Sequence, residues 1–188
     1  MNKRDQRAQA LSARRAMPEA ERAAASAQIC RALLQLPELH TARTVFSYLA
    51  MPEEADLSDL HARLLARGCR VAFPVTQPGG IMQAFAPEVP WRFALDRFGI
   101  RSPIPECAVQ VEPREIDVVL VPCVAFDDRC RRLGHGGGYY DRYLPLCPGA
   151  ALFGVAFEVQ RLPEVACDPL DVPLDAFVTE RTIYSPEK

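Results

Sequence analysis

Apolar and polar positions along this chain change period several times, and each change marks an element. Residues 3–16 repeat at helical spacing and carry a basic face. At about 100° per residue, Lys3, Arg7 and Arg14 fall within roughly 40° of one another. Pro18 stands where a second helix should begin. Ala25, Ile29, Ala32, Leu33 and Leu36 keep helical spacing through that helix, and Pro37 is expected to stop it. Residues 44–49 read as a strand, 57–66 as a helix ended by Gly68, and 69–73 as a strand stopped by Pro74. A short strand over 81–85 follows the turn Pro78-Gly79-Gly80. Residues 86–115 are rich in proline and lack a clear period, as in an ordered loop with short elements. Residues 117–121 (Asp-Val-Val-Leu-Val) form a continuous apolar run ending in Pro122, the pattern of a central parallel strand. A short helix near 139–144, a buried strand over 151–157 and a last strand over 176–179 complete the reading.

Strands alternating with helices predict an α/β fold. The expected form is a three-layer, Rossmann-like, mostly parallel sheet with helices on both faces, in a single domain over residues 1–188. Ligands of such sheets bind beyond the carboxyl ends of the strands. Three segments converge on that rim: the residues after 117–121, Glu54 after 44–49, and Glu158 after 151–157.

Composition narrows the function classes. The hydrophobic fraction of 49% in 188 residues suffices for a core, and the net charge of −2 argues against a general nucleic-acid binder. No apolar stretch reaches the roughly 20 residues that span a bilayer, and the N-terminus has no apolar signal core. The expectation is a cytoplasmic monomer with neither nucleic-acid nor membrane partner. Seven cysteines without a C-x-x-C suggest reduced thiols, with Cys123 and Cys130 the candidates for reactivity. His40, His61 and His135 have no metal-ligand spacing.

The chemistry concentrates in Arg132-Leu133-Gly134-His135-Gly136-Gly137-Gly138-Tyr139-Tyr140-Asp141-Arg142. Glycines at this density let backbone N–H groups approach an anion, and a helix starting near Tyr139 would add a favourable field for phosphate. Arg132 and Arg142 bracket the run with charge, and Asp141 suits a divalent ion or a helix cap. Neither the P-loop pattern nor G-x-G-x-x-G is present. Spacing alone therefore gives an anion loop or a glycine-rich turn.

The chain resembles the 5-formyltetrahydrofolate cyclo-ligase family nearly from end to end. The carrying pieces are Lys3-x-x-x-Arg7, Arg15-Ala16-Met17, Met51-Pro52-Glu53-Glu54-Ala55-Asp56, Gly99-Ile100-x-x-Pro103, residues 117–127 with Pro122-x-x-Ala125-Phe126-Asp127, and the glycine–tyrosine run. Asp171-Val172-Pro173-Leu174-Asp175 and Thr179-Glu180 add to them near the end.

The resemblance implies ATP- and magnesium-dependent closure of 5-formyltetrahydrofolate to 5,10-methenyltetrahydrofolate. It implies that Lys3 and Arg7 bind ATP phosphates, and that Arg132 is the main catalytic cation. Leu133, Gly134, His135, Gly136, Gly137, Gly138, Tyr139 and Tyr140 wrap the nucleotide. His135 to Tyr139 also meet the folate, together with Leu49 and Glu54. Asp141 ligates Mg²⁺, with Asp175 as a second carboxylate. Glu54 has an alternative partner in a nearby arginine such as Arg43. Arg92, Arg97 and Arg101 cluster where a glutamate tail would arrive. The family's usual threonine is Leu57 here, its usual Tyr or Arg is His135, and its usual glycine near 128–131 is absent. Two rival readings remain: a relative that binds folate or another ligand without turnover, and a sugar-phosphate isomerase or CoA-transferase-like enzyme on a related fold.

Overall fold

The computed structural model describes residues 1–96 and 99–186. Arg97, one of the three clustered arginines, lies outside the described residues. Four helices open the chain around the first strand: α1 (Lys3–Ala16), α2 (Glu19–Leu34), α3 (Pro37–Thr41), β1 (Thr44–Phe46) and α4 (Ser58–Ala66). Then come β2 (Arg70–Gln77), β3 (Ile81–Pro87), β4 (Phe93–Leu95), β5 (Arg101–Pro103), β6 (Ala108–Val111), β7 (Val118–Pro122), β8 (Ala125–Phe126) and β9 (Arg132–Leu133). The chain finishes with α5 (Tyr139–Tyr143), β10 (Ala151–Val155), β11 (Ala176–Val178) and β12 (Ile183–Tyr184).

Among the described residues, eight strands form one sheet in the order β12-β11-β10-β7-β1-β2-β3-β6. Its centre, β11-β10-β7-β1-β2, is parallel, and antiparallel strands close both edges. The apolar run of β7 is buried on both faces. Val118 and Leu120 pack with Ile29, Leu33, Leu60 and Leu64 of α2 and α4, while Val119 and Val121 pack with Phe46, Phe126, Tyr143 and Phe177 on the opposite face. The α/β expectation holds with an asymmetry: long helices cover one face, and the short α5 with surrounding loops covers the other. No helix among the described residues is long and apolar enough to cross a membrane.

Two prolines act differently from expectation. Pro37 begins α3 rather than merely stopping α2, because a fixed φ suits a first helical turn. Pro74 does not stop β2. The parallel neighbour β1 ends at Phe46, opposite Ala72, so Pro74 lies beyond it and pairs only with Ala84 of antiparallel β3.

Helix α1 sits at the rim of the sheet. Asn2 caps it by accepting the Asp5 N–H at 2.9 Å. Ala10 packs on Val124, Ala125, Leu133, Leu162 and Val165. Gln6 ties the helix down by donating to the Glu164 carbonyl at 2.7 Å and accepting the Ala166 N–H at 2.9 Å. This anchoring points the charged face of α1 at the carboxyl ends of the strands.

Candidate functional site

A cleft of about 620 Å³ opens beyond those carboxyl ends. Its walls bring together most residues expected to carry chemistry: Lys3, Arg7, Leu49, Glu54, Arg132 to Tyr140, and Asp141.

Local folding explains how Arg132 arrives there. Asp127 is buried and accepts the backbone N–H groups of Arg129, Arg131 and Val165 at 3.1, 3.2 and 2.8 Å. It also pairs with the Arg131 side chain at 2.6 Å. The turn closes through Cys130, which adopts the left-handed φ of 57° in the stretch where the family's glycine is missing. A tight turn is thus kept without glycine. The antiparallel ribbon of β8 and β9 then carries Arg132 back over the sheet.

The Arg132 side chain is 4% exposed and donates from Nη2 to Asp141 Oδ1 at 2.5 Å. Its guanidinium carbon lies 5.7 Å from the centre of the Tyr140 ring, and its Nε has no hydrogen-bond partner among the described residues. A buried cation with an unused donor is poised for an incoming anion. The glycine run follows. Gly136 and Gly138 take φ of 101° and 65°, a region that L side chains rarely occupy. Arg7 donates from Nε to the Gly134 carbonyl at 2.8 Å, joining α1 to the loop. Arg142 does not line the cleft. It staples the loop from outside, donating to the carbonyls of Gly137 at 2.7 Å and Gly80 at 3.1 Å. Helix α5 starts at Tyr139 as expected but spans five residues, so its macrodipole is small. The cations and the loop carry the electrostatics.

Lys3 donates to Asp168 at 2.7 Å and to Asp171 at 2.6 Å. Burial works against its ammonium, but the two carboxylate hydrogen bonds outweigh that and hold its pKa above the usual lysine value. Burial likewise works against the Asp171 carboxylate. The Lys3 hydrogen bond and the Asp168 N–H outweigh it and leave its pKa below the usual carboxylate value. Asp168 and Asp171 both line the cleft, a pair that sequence reading did not single out. The neighbouring Val172 N–H donates to Asp141 Oδ1 at 3.3 Å, which sets this segment beside Asp141.

Asp175 is not brought to the cleft. It is exposed at the amino end of β11, and its carboxylate accepts the Leu152 N–H at 2.7 Å. The carboxylate that shares the cleft with Asp141 from this stretch is Asp171, four residues earlier. These side chains supply hard oxygen donors, the type magnesium takes. No group of three or more His, Cys, Asp or Glu capable of holding a metal occurs among the described residues. Such a set fits an ion that uses one or two carboxylates and completes its shell with phosphate oxygens and water.

Beside the glycine loop, Glu54 is 7% exposed at its side chain. It accepts the Met51 N–H at 3.1 Å, and its second oxygen lies 3.7 Å from His135 Nε2 and 3.9 Å from Arg14 Nη1. Arg43 is not its partner: the Arg43 backbone is held by Asp117 at the opposite end of the strands. Nearby Tyr48 and Tyr140 have phenols pushed well up, first by burial and then by the charge of Glu54. Leu49, Pro74, Met82 and Ile100 give the cleft an apolar wall. Arg101 reaches the rim, whereas Arg92 does not line the cleft.

Glu158, expected on the same rim, is used elsewhere. It accepts from Thr179 at 3.0 Å, Tyr184 at 2.7 Å and Arg161 at 2.9 Å. The two candidate reactive cysteines are buried instead. Burial pushes the Cys123 thiol up to about 12 and the Cys130 thiol up to about 11, so both stay protonated at neutral pH. Leu57 is buried in the core under α4. Trp91 packs edge-on to Phe73 at 5.2 Å in an aromatic group with His61 and Phe93.

The cleft therefore combines a cationic, glycine-lined loop with apolar side chains and one buried carboxylate, Glu54, which lies beside His135 of that loop. That combination suits a polyphosphate meeting a flat heterocycle. Known proteins share the arrangement's frame. The model of the 5-formyltetrahydrofolate cyclo-ligase family matches residues 1–180. A 5-formyltetrahydrofolate cyclo-ligase of Mycolicibacterium smegmatis is 31% identical over 176 residues, covering 91% of this chain and 90% of the relative. The solved 5,10-methenyltetrahydrofolate synthetase of Aquifex aeolicus matches with a TM-score of 0.87 at 30% identity, over 100% of this chain and 94% of that one. The 5,10-methenyltetrahydrofolate synthetase of Mycoplasma pneumoniae gives a TM-score of 0.79 at 26% identity, over 96% and 99% of the two chains. With the family's sequence pattern and its fold both running almost the full length, this chain is an enzyme of the 5-formyltetrahydrofolate cyclo-ligase family.

Proposed function

We propose that the protein, working as one domain, uses ATP and magnesium to close 5-formyltetrahydrofolate to 5,10-methenyltetrahydrofolate, releasing ADP and phosphate. The observation that carries this reading is the shared cleft. Lys3, Arg7, Arg132 and the glycine loop line it together with Glu54 and the apolar side chains of Leu49, Met82 and Ile100.

The N5 formyl group is amide-like and unreactive toward N10. Attack of its oxygen on the γ-phosphorus breaks the bond to the β–γ bridging oxygen and releases ADP. The formyl oxygen is now a phosphate ester, a far better leaving group. N10 attacks the formyl carbon, the C–O bond breaks, and phosphate departs with the former formyl oxygen while the N10 proton passes to solvent. Phosphoryl transfer of this kind needs alignment and charge neutralisation more than covalent help.

In this scheme Lys3 and Arg7 bind ATP phosphates. Lys3 then exchanges its contacts with Asp168 and Asp171 for phosphate oxygens. Arg132 stabilises the charge that develops on the moving phosphoryl group. Leu133 to Tyr140 wrap the triphosphate, with Gly136 to Tyr139 also enclosing the formyl end of the folate. Asp141 and Asp171 hold magnesium, which when bound offsets phosphate charge. Glu54 accepts hydrogen bonds from the donor edge of the pterin, and Leu49 and His135 line its sides.

The mechanism is tested by oxygen labelling. Substrate carrying ¹⁸O in the formyl group should deliver the label to inorganic phosphate. Label appearing in water, with phosphate unlabelled, would remove the phosphorylated intermediate and with it this reading.

A further inference from the structure

Helix α1 places three cations on one face, and the proposed function uses only Lys3 and Arg7. The third, Arg14, lies two turns further along, about 10 Å from Arg7 by helical rise. Its side chain is 3% exposed. Among the described residues its Nε and Nη1 have no hydrogen-bond partner, although both are buried. Its nearest carboxylates are Glu54, at 3.9 Å from Nη1, and Glu53, at 3.9 Å from Nη2. Glu53 also receives the exposed Arg15 side chain at 3.3 Å, whereas the free oxygen of Glu54 faces, among the cations of the described residues, only Arg14 and His135 at similar distances.

A buried guanidinium with orphaned donors is costly in a folded chain and stays in place only where something compensates it. Here the compensation is incomplete: charge meets charge across 3.9 Å, beyond hydrogen-bond reach. Arg14 does not line the cleft; it stands behind Glu54, which does. Glu54 has one oxygen fixed by the Met51 N–H and the other facing Arg14 and His135, with no donor among the described residues close enough to bind it.

We propose that Arg14 is a positioning residue for folate binding. It acts through Glu54, holding that carboxylate turned toward the cleft so that it meets the pterin's donor edge. Arg14 touches neither substrate. This inference rests on the reading of Glu54 as the pterin acceptor.

The test is a double-mutant cycle read by the KM for 5-formyltetrahydrofolate, with the KM for ATP and thermal unfolding as controls. Glu54→Gln should raise the folate KM at least about tenfold, the scale of one lost charge-assisted hydrogen bond. Arg14→Met should raise the folate KM to a similar degree, leave the ATP KM within about twofold, and add little in the Glu54→Gln background. Arg14→Lys should recover part of the loss because it restores the charge. If Arg14→Met does not fold, Arg14→Lys completes the same cycle. Additive effects, or an Arg14 effect shared equally by both substrates, would overturn the role of Arg14 while leaving Glu54 in place. A Glu54→Gln enzyme with unchanged folate KM would overturn the pterin reading itself.

Discussion

At the amino ends of the parallel strands, acidic side chains are closed upon the backbone. Asp117 accepts the N–H groups of Arg43 and Thr44 at 2.8 and 2.9 Å, and Asp175 accepts that of Leu152 at 2.7 Å. At the carboxyl ends, three charged groups in and behind the cleft are buried and incompletely used. Among the described residues, Arg132 keeps a free Nε, Arg14 keeps a free Nε and Nη1, and Glu54 faces Arg14 and His135 donors that it does not reach. Asp141 and Asp175 make the contrast sharp. They are the same residue type, and both fall in family-like segments, yet one stands in the cleft and the other pins two strands together. Asp117 and Asp175 complete the fold, whereas Arg132 and Glu54 line the cleft with hydrogen-bonding capacity left for ligands.

The largest test of that division is Arg132→Ala. It should lower kcat by about 10³-fold, the scale of removing a preorganised charge donor from a transition state. Arg132→Lys should recover only part of this, because an ammonium cannot reproduce the planar fork. Steady-state turnover measures it, and a loss under tenfold would place the decisive cation elsewhere.

Next comes the aspartate pair. Asp141→Ala should reduce turnover by about 10²-fold or more at ordinary magnesium while leaving the fold intact. Asp175→Ala should retain turnover and cost about 1 kcal/mol of stability through its lost hydrogen bond. Activity assays and denaturant unfolding on both variants would decide. Equal kinetic losses would erase the distinction between the two ends.

The carboxyl end also contains a purely structural polar pair, Ser47 and His61, 2.8 Å apart in the interior. Burial lowers the His61 pKa from 6.5 to about 4. Between those values only the unfolded chain takes up the proton. The contribution of the neutral ring is complete above about pH 6.5 and shrinks as pH falls, with about 3 kcal/mol lost below pH 4. Denaturant unfolding at pH 7 and 4.5 should show this slope in the native protein and a flatter one in His61→Leu. Smallest is the effect of Gly138→Ala, which forces a methyl group into φ of 65° and 2.8 Å from Arg142. A stability loss of about 1–2 kcal/mol is expected, with a larger fractional loss in ATP affinity than in folate affinity.

The strong periodic segments were legible from sequence. The boundaries 3–16 coincide with α1, and the continuous apolar run became the two-faced β7, because both patterns follow directly from burial. The ribbon of β8 and β9 was missed: strands of two residues leave no period to read. The proline-rich stretch hid β4, β5 and β6 for a related reason, since edge strands need little apolar alternation. In the site, the glycine run, Lys3, Arg7 and Glu54 converge as their spacing and family likeness implied. Asp175 was misplaced although it directly precedes the strand read over 176–179, a position at the amino end and away from the rim where ligands were expected. Arg14 went unassigned because a charged residue on a helix looks solvent-facing until packing buries it. Its place on one face with Lys3 and Arg7 was the available signal.

The cationic glycine loop and Glu54 share one cleft, so both should serve one reaction joining ATP to a formyl-folate. The most direct measurement is absorbance of the methenyl chromophore with purified protein, 5-formyltetrahydrofolate, ATP and magnesium, omitting each component in turn. The account predicts a signal that requires all four. Folate binding without any signal, or a signal that persists without ATP, would contradict it.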